Sequence, residues 1–381
     1  MITRDVRRAV GRAVVVAGFR PGADPGLRPT GTPGQYAASV ALTLGPDPRA
    51  TAAILAAGLA LEPWIAQVEV TGPGYLTVTV TPEALAAVAD HVTAAGPACV
   101  TSDALAGAIV PAAPPGDPLT ASTWEAARAA LAAQLAARLA AAAGATVAKP
   151  AESERKRPPL PAPTAPAPGA SRARSEDFPA EPDARARAPG TNIAAAVAFA
   201  GRDAVTFTLA RAVPGQPLEV PPEVIARHVS GNPAYAVRYA HARAACGLRW
   251  AAASAGERNS SPVTSVPPGR SGTLAVSAVG PGHRDTGGAF PRETAVLLDA
   301  LAWLPERVAA AARRGRPDEF ARYLEDLASA TIDALISARR PGNALGGDRT
   351  LGSDRLALAG AARAGLAAGL GLLGVSAPDR L

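Results

Sequence analysis

Between residues 232 and 250 the sequence reads NPAYAVRYAHARAACGLRW, gathering two tyrosines, a histidine, three arginines and a tryptophan in a chain only 4% aromatic. Aromatic rings offer stacking faces and guanidinium groups suit phosphate, so the question is whether this helix is a binding face or plain core. At about 100° per residue, Tyr235, Tyr239, Cys246 and Trp250 share one stripe, with Arg238, His241 and Arg249 in a strip beside it. The far side, with Val237, Ala240 and Ala244, is small. Pattern alone assigns the aromatic stripe to the core and the arginines to a solvated edge; a sharper reading needs the rest of the chain.

No other cluster suggests chemistry. His91, His228, His241 and His283 are scattered without ligand spacing, and Cys99 and Cys246 lie far apart. The sequence therefore predicts no metal, no cofactor and no disulfide framework, and a reducing, cytoplasmic setting fits. The stretch GNALGGDRTLGSDR (342–355) lacks the Gly-Lys-Ser/Thr ending of a phosphate loop and reads as a loop before the last helix.

The elements that must position these residues are legible from composition and period. A length of 381 residues with 48% hydrophobic content accommodates two or three domains with real cores. Net charge is +6 and the isoelectric point about 9.9, carried almost wholly by arginine, since Lys149 and Lys156 are the only lysines. Arginine's planar fork suits phosphate, although an Ala, Arg, Gly and Pro excess also follows from GC-rich coding. The opening MITRDVRRAVGRAVVVAGF interleaves arginines with apolar residues and reads as an amphipathic helix rather than a signal peptide. No long uncharged apolar run predicts a membrane span.

The resulting expectation is an α+β chain. Residues 1–95 form a small α/β sheet domain with helices on one face: QVEVTGPGYLTVTVTP (67–82) reads as two strands around a Gly-Pro-Gly turn, with helices in PRATAAILAAGLAL before it and PEALAAVADHVTAA after it. Residues 96–150 contain a long alanine-rich helix opened by a Thr/Ser cap. Residues 151–190, with nine prolines and many charges, are expected to be a flexible linker. From 191 to 381 the pattern is an all-α bundle, with helical spacing through 233–254, 291–314, 317–339 and 353–373 and a Gly, Pro and Ser-rich loop at 256–290.

NPAYAVRYAHARAACGLR resembles the start of the anticodon-binding helical domain of arginyl-tRNA synthetases, where Asn-Pro, tyrosines and a Tyr-Ala-His-Ala-Arg run recur. DAVTFTLARAVPGQPLEV (203–220) is similar to that family's Asp-Ala-Leu-Arg entry segment, with Val205 and Thr206 in place of Leu-Arg. LLDALAWLPERVAAAARRGRPDEFARYLEDLASA resembles its middle helices, and the C-terminal DRLALAGAARAGLAAGLGLLGVSAPDRL its final helix. GQYAASVAL with VEVTGPGYLTVTV resembles the family's N-terminal additional domain, which contacts the tRNA elbow; here Ala38 and Ser39 stand for a Ser-Asn pair, Tyr75 for a phenylalanine and Thr77 for an asparagine.

The segment between these two ends is too short for a nucleotide fold. GDPLTASTWEAARAALAAQLAARLAAAAGATV resembles the family's Pro-Leu-His-Val-Gly-His turn and helix, but Thr120 and Thr123 occupy the histidine positions, and no Lys-Met-Ser-Lys-like loop exists. Those groups stabilise charge as adenylate forms, so their loss implies a chain with no catalytic residues that does not aminoacylate by itself. The resemblance implies a tRNA-binding protein, with arginine tRNA as the candidate partner. Tyr235 and Tyr239 would supply stacking faces, and Arg238, His241, Arg243 and Arg249 phosphate contacts. Trp303, Arg322 and Tyr323 on the next helices, with Tyr36 and Ser39 on the elbow-facing domain, complete the expected RNA-binding set. Where the family carries aromatics after its Tyr-Leu-x-x-Leu-Ala helix, TIDALISARR has Thr331, Ile332, Ala334 and Leu335, which implies looser base reading. Two other readings stand beside this one. The first is a scaffold or regulatory partner of a translation enzyme, docking through bundle surface left uncovered. The second is a degenerate arginine-tRNA ligase with residual ATP and arginine chemistry.

Overall fold

The structure, a computed structural model, describes residues 2–148, 192–218, 221–260, 290–337 and 350–381. The expected linker at 151–190 and most of the 256–290 stretch lie outside the described residues, as do residues 342–349.

The N-terminal part begins with the amphipathic helix α1 (Ile2–Val16), whose Val6, Val10 and Val14 are buried. It continues through β1 (Arg28–Pro29), β2 (Gln35–Ala38), α2 (Ala41–Leu44), α3 (Pro48–Leu59), β3 (Ile65–Thr71), β4 (Tyr75–Val80) and α4 (Pro82–Ala95). The strands form one antiparallel sheet in the order β1-β2-β4-β3, in which Tyr36 pairs with Val78 and Val68 with the same Val78 from the other side. Tyr36, Ala38, Leu76, Val78 and Val80 are buried on the covered face, while Gln67 and Glu69 are exposed on the other. The hairpin turns at Gly74, whose φ of 139° and approach to the Pro48 backbone leave no room for a Cβ. Helix starts follow their caps: Asp47 accepts from two backbone amides at α3, and Thr81 from Ala84 N at α4, each followed by proline.

Two two-residue parallel strands, β5 (Ile109–Val110) and β6 (Thr146–Val147), bracket the alanine-rich helix α5 (Trp124–Ala142), giving a single minimal crossover unit. Thr120 and Thr123, which the resemblance sets at histidine positions, serve the local fold. Thr123 caps α5 by accepting from Ala126 N, and Thr120 Oγ1 donates to Asp117 O at 2.8 Å. Asp117 in turn takes two 2.8 Å bonds from Arg202, tying this unit to the helical part.

The C-terminal part contains α6 (Ile193–Ala200) and α7 (Arg202–Arg211), bent by 119° at Gly201, then α8 (Pro222–Ile225), α9 (Pro233–Ser260), α10 (Arg292–Arg314), α11 (Pro317–Ser337) and α12 (Thr350–Leu372). Two boundaries differ from expectation. Helix α9 runs on through residues 256–260, and α12 begins at Thr350, so the end of the glycine-rich stretch 342–355 is helical rather than loop. No single helix among the described residues is long and apolar enough to cross a membrane.

The sheet domain and the bundle are packed together. Helix α4 lies on α10 and α12, and α1 meets α10. Thr3 Oγ1 donates to Ala302 O at 2.8 Å, and one turn on Arg7 forks onto Glu306, Nε to Oε1 at 3.1 Å and a terminal nitrogen to Oε2 at 2.7 Å. The Gly34 amide donates to Asp299 at 3.1 Å, and the Tyr36 ring lies 5.6 Å from that of Trp303. Arg307 reaches over the rings of both Trp303 and Tyr323. Burial pushes the Asp299 carboxyl up, and the Tyr36 hydroxyl and Trp303 indole N–H stand beside it short of hydrogen-bond geometry.

Candidate nucleic-acid interface

The site is built at the corner between α8 and α9. Buried Asn232 donates its side-chain amide to Ile225 O at 2.7 Å and Arg227 O at 2.8 Å, locking the short α8 turn against the start of α9. Pro233 then opens α9, where its missing N–H costs no hydrogen bond. This corner places exposed His228 on Tyr235, with rings 5.1 Å apart and 12° from parallel, and Tyr235 one turn below Tyr239, at 5.6 Å and 21°. The result is a ladder of three rings whose last member, Tyr239, is 41% exposed. Both faces of Tyr235 are covered within the ladder, so the outer faces of His228 and Tyr239 are the surfaces left for a flat group to stack on.

The structure inverts the pattern-based expectation for this helix. Val237, Ala240 and Ala244 are fully buried, whereas Tyr239 and Trp250 face outward. Helix α9 packs on both α11 and α12, and small side chains let helix axes approach closely, so the small side becomes the core and the bulky stripe is left outside. Cys246 is half-buried.

Three of the four expected phosphate ligands on α9 are engaged inside the protein. Arg238 pairs with Asp203 at 3.4 Å, and Asp203 also accepts from both the Ser376 amide and its hydroxyl. His241 is buried, its Nδ1 at 3.0 Å from Pro378 O, and burial holds its imidazole below the usual histidine range. Arg249 donates to Asp379 O at 2.7 Å, and Arg363 makes two 3.0 Å bonds to the Asp379 carboxylate. These side chains, His241 as a neutral ring and the arginines as cations, hold the C-terminal segment onto α7, α9 and α12. Arg243 is half-buried and makes no ion pair among the described residues.

The other expected contacts divide. Tyr36, Trp303 and Tyr323 are buried in the seam between sheet domain and bundle, with the Tyr323 hydroxyl bonded to Ala300 O, so none offers a ring face to a base. Burial claims all three rings for packing, and Arg307 lies over those of Trp303 and Tyr323. Ser39 is half-buried and donates its backbone amide to Pro25 O at 3.0 Å, packed beside Gly26. Arg322 is exposed on α11. Of the residues standing where the family has aromatics, Thr331 and Ala334 are buried. His228 escaped the sequence reading because it lies outside the helical period of α9; the Asn232-Pro233 corner that seats it was the available signal. Among the described residues no group of His, Cys, Asp and Glu could hold a metal ion. Burial pushes the Cys99 thiol up to about 11, which leaves it inert.

Residues 237–381 match the DALR anticodon binding domain family. From residue 237 on, the C-terminal helices are a DALR anticodon-binding domain. The ring ladder straddles the start of this DALR domain, with Tyr239 inside the match and His228 and Tyr235 just before it. The arginine–tRNA ligase of Micrococcus luteus is 34% identical over 196 residues, covering 49% of this chain and 30% of that protein. That of Frankia alni is 35% identical over 183 residues, covering 48% of this chain and 29% of that protein. The match thus spans less than a third of the length of either relative. The arginyl-tRNA synthetase of Thermus thermophilus shares the fold, with a TM-score of 0.59 at 16% identity and 100% coverage of both chains.

Proposed function

We propose that the chain is a non-catalytic tRNA-binding protein related to arginyl-tRNA synthetases, with arginine tRNA as its preferred partner. The observation that carries this reading is the His228–Tyr235–Tyr239 ladder, exposed at its two ends, where the DALR match begins. Stacking is the part of the binding energy that a folded corner can preorganise, and phosphate steering falls to Arg243, Arg322 and the exposed Arg227. The positions of the family's catalytic histidines hold Thr120 and Thr123, both committed to local hydrogen bonds, which supports binding without adenylate chemistry.

The test is retention of a total tRNA pool by the purified protein at two salt concentrations, followed by sequencing of what is held. Arginine tRNAs should be enriched, and binding should fall steeply with salt. Tyr239→Ala should weaken binding by roughly 5- to 150-fold, the loss of one stacked base. Arginine-dependent pyrophosphate exchange should be absent. Retention of no RNA at low salt, or binding untouched by Tyr239→Ala, would overturn the reading.

A further inference from the structure

The two edges of the N-terminal sheet are unlike. At one side β1 is two residues long and contains Pro29, which cannot donate to a further strand. At the other, β3 offers seven residues without lysine or proline, and among the described residues only β4 pairs with it. Its register irregularity is confined to Ile65–Gln67, so residues 67–71 continue as regular strand with backbone donors and acceptors along the open side. Such an edge is a template for another strand.

The side chains select which strand. Gln67, Glu69 and Thr71 lie exposed on the open face, while Val68 and Val70 lie half-buried on the covered face against the core. Antiparallel pairing of β3 with a second β3, centred on Val68, sets Gln67 opposite Glu69 twice and Val68 opposite itself, with Val70 lying toward the irregular Ile65–Gln67 step of the other strand. Each glutamine amide would then find a carboxylate acceptor across the strand, the partnership Gln67 Nε2 already makes with Glu69 Oε1 within its own strand at 2.7 Å. The valines would gain cover from their counterparts. We propose that β3 is a self-association edge through which two copies of this chain join their sheets into one continuous eight-stranded sheet about a two-fold axis. The polar pattern is self-complementary in this register; a one-residue slip would turn every side chain to the wrong face.

The pairing makes a signed prediction on one exposed residue. Gln67→Lys places a lysine opposite Glu69 at both symmetry-related positions and should tighten the dimer. Gln67→Glu places like charges there and should loosen it. At the strength of cross-strand charge pairs, two of them imply a shift of about 2- to 30-fold in each direction. Sedimentation velocity over a concentration series of the full chain reads the dissociation constants, and circular dichroism checks that both variants fold as the parent does. The expected result is a concentration-dependent dimer, tightened by the lysine and loosened by the glutamate, with both effects reduced at high salt. A protein that stays monomeric throughout the series, or a dimer whose constant the two variants leave unchanged or move in the same direction, would overturn the proposal.

Discussion

Removing Arg7 should loosen the seam between the sheet domain and the DALR bundle more than its place on the first helix suggests. Its guanidinium forks onto Glu306 and also reaches Asp24 at 2.7 Å. Side-chain exposure is 22% for Arg7 and 10% for Glu306, but 64% for Asp24, so the pair with Glu306 carries the effect. Removing one partner of a fully buried pair costs about 3–5 kcal/mol because the other charge is left without compensation. A surface pair is worth about 0–1 kcal/mol. With Arg7 open to water on one side, Arg7→Ala should cost about 2–3 kcal/mol, chiefly the stranded Glu306 carboxylate. Glu306→Ala should cost less, about 1–2 kcal/mol, because Arg7 keeps Asp24 and can turn to solvent. The double variant strands no charge and should fall about 1–2 kcal/mol short of the sum of the two. Urea unfolding of the four proteins gives this cycle, with the buried Trp303 ring reporting on the seam by fluorescence. Strict additivity, or a cost for Arg7→Ala below about 0.5 kcal/mol, would show that the fork contributes nothing beyond a surface pair.

Three further outcomes follow from the same packing. Asp299 has its carboxyl raised by burial, so its stabilising proton is fully bound below the ordinary carboxylate value and lost as pH rises through the folded one; Asp299→Asn should raise the urea midpoint at neutral pH and flatten its acid-side slope. His241 is the opposite case: it is held neutral below its usual 6.5, so stability should drop as pH falls from that value through the lower folded one. Hydrogen exchange of residues 374–381 across that window should show the C-terminal segment loosening first, and His241→Gln should remove the pH dependence. On α12, Gly365→Ala would put a Cβ 2.7 Å from Leu301 Cδ2 and should lower the melting temperature. Gly360→Ala meets nothing nearer than Thr93 Oγ1 at 3.5 Å and should raise stability by about 0.5–1 kcal/mol, a contrast read in two thermal melts.

The signals legible along the chain are local. Caps and turn residues placed the helices and the hairpin: Thr81 and Pro82 began α4, Asp47 and Pro48 began α3, and Gly72 to Gly74 closed β3 onto β4. These signals act within a few residues, so they need no knowledge of the rest of the chain. The short strands β1, β2, β5 and β6 carried no such signal, because two to four residues hold too little period to stand out. The candidate site was half legible for the same reason. Residue types named the chemistry, and the Asn232-Pro233 corner was visible, but which face of α9 is inside was decided by neighbours far away in sequence. An amphipathic pattern ranks faces by hydrophobicity, whereas α9 sits between α11 and α12, where closeness of approach favours alanine over tyrosine. Likewise no local feature marks Arg249 and His241 as anchors for Asp379 and Pro378, or Tyr36 as a partner for Trp303. Those contacts join residues more than a hundred positions apart, and only the tertiary structure, by bringing them within bonding distance, decided which aromatic rings pack the interior and which remain open to a ligand.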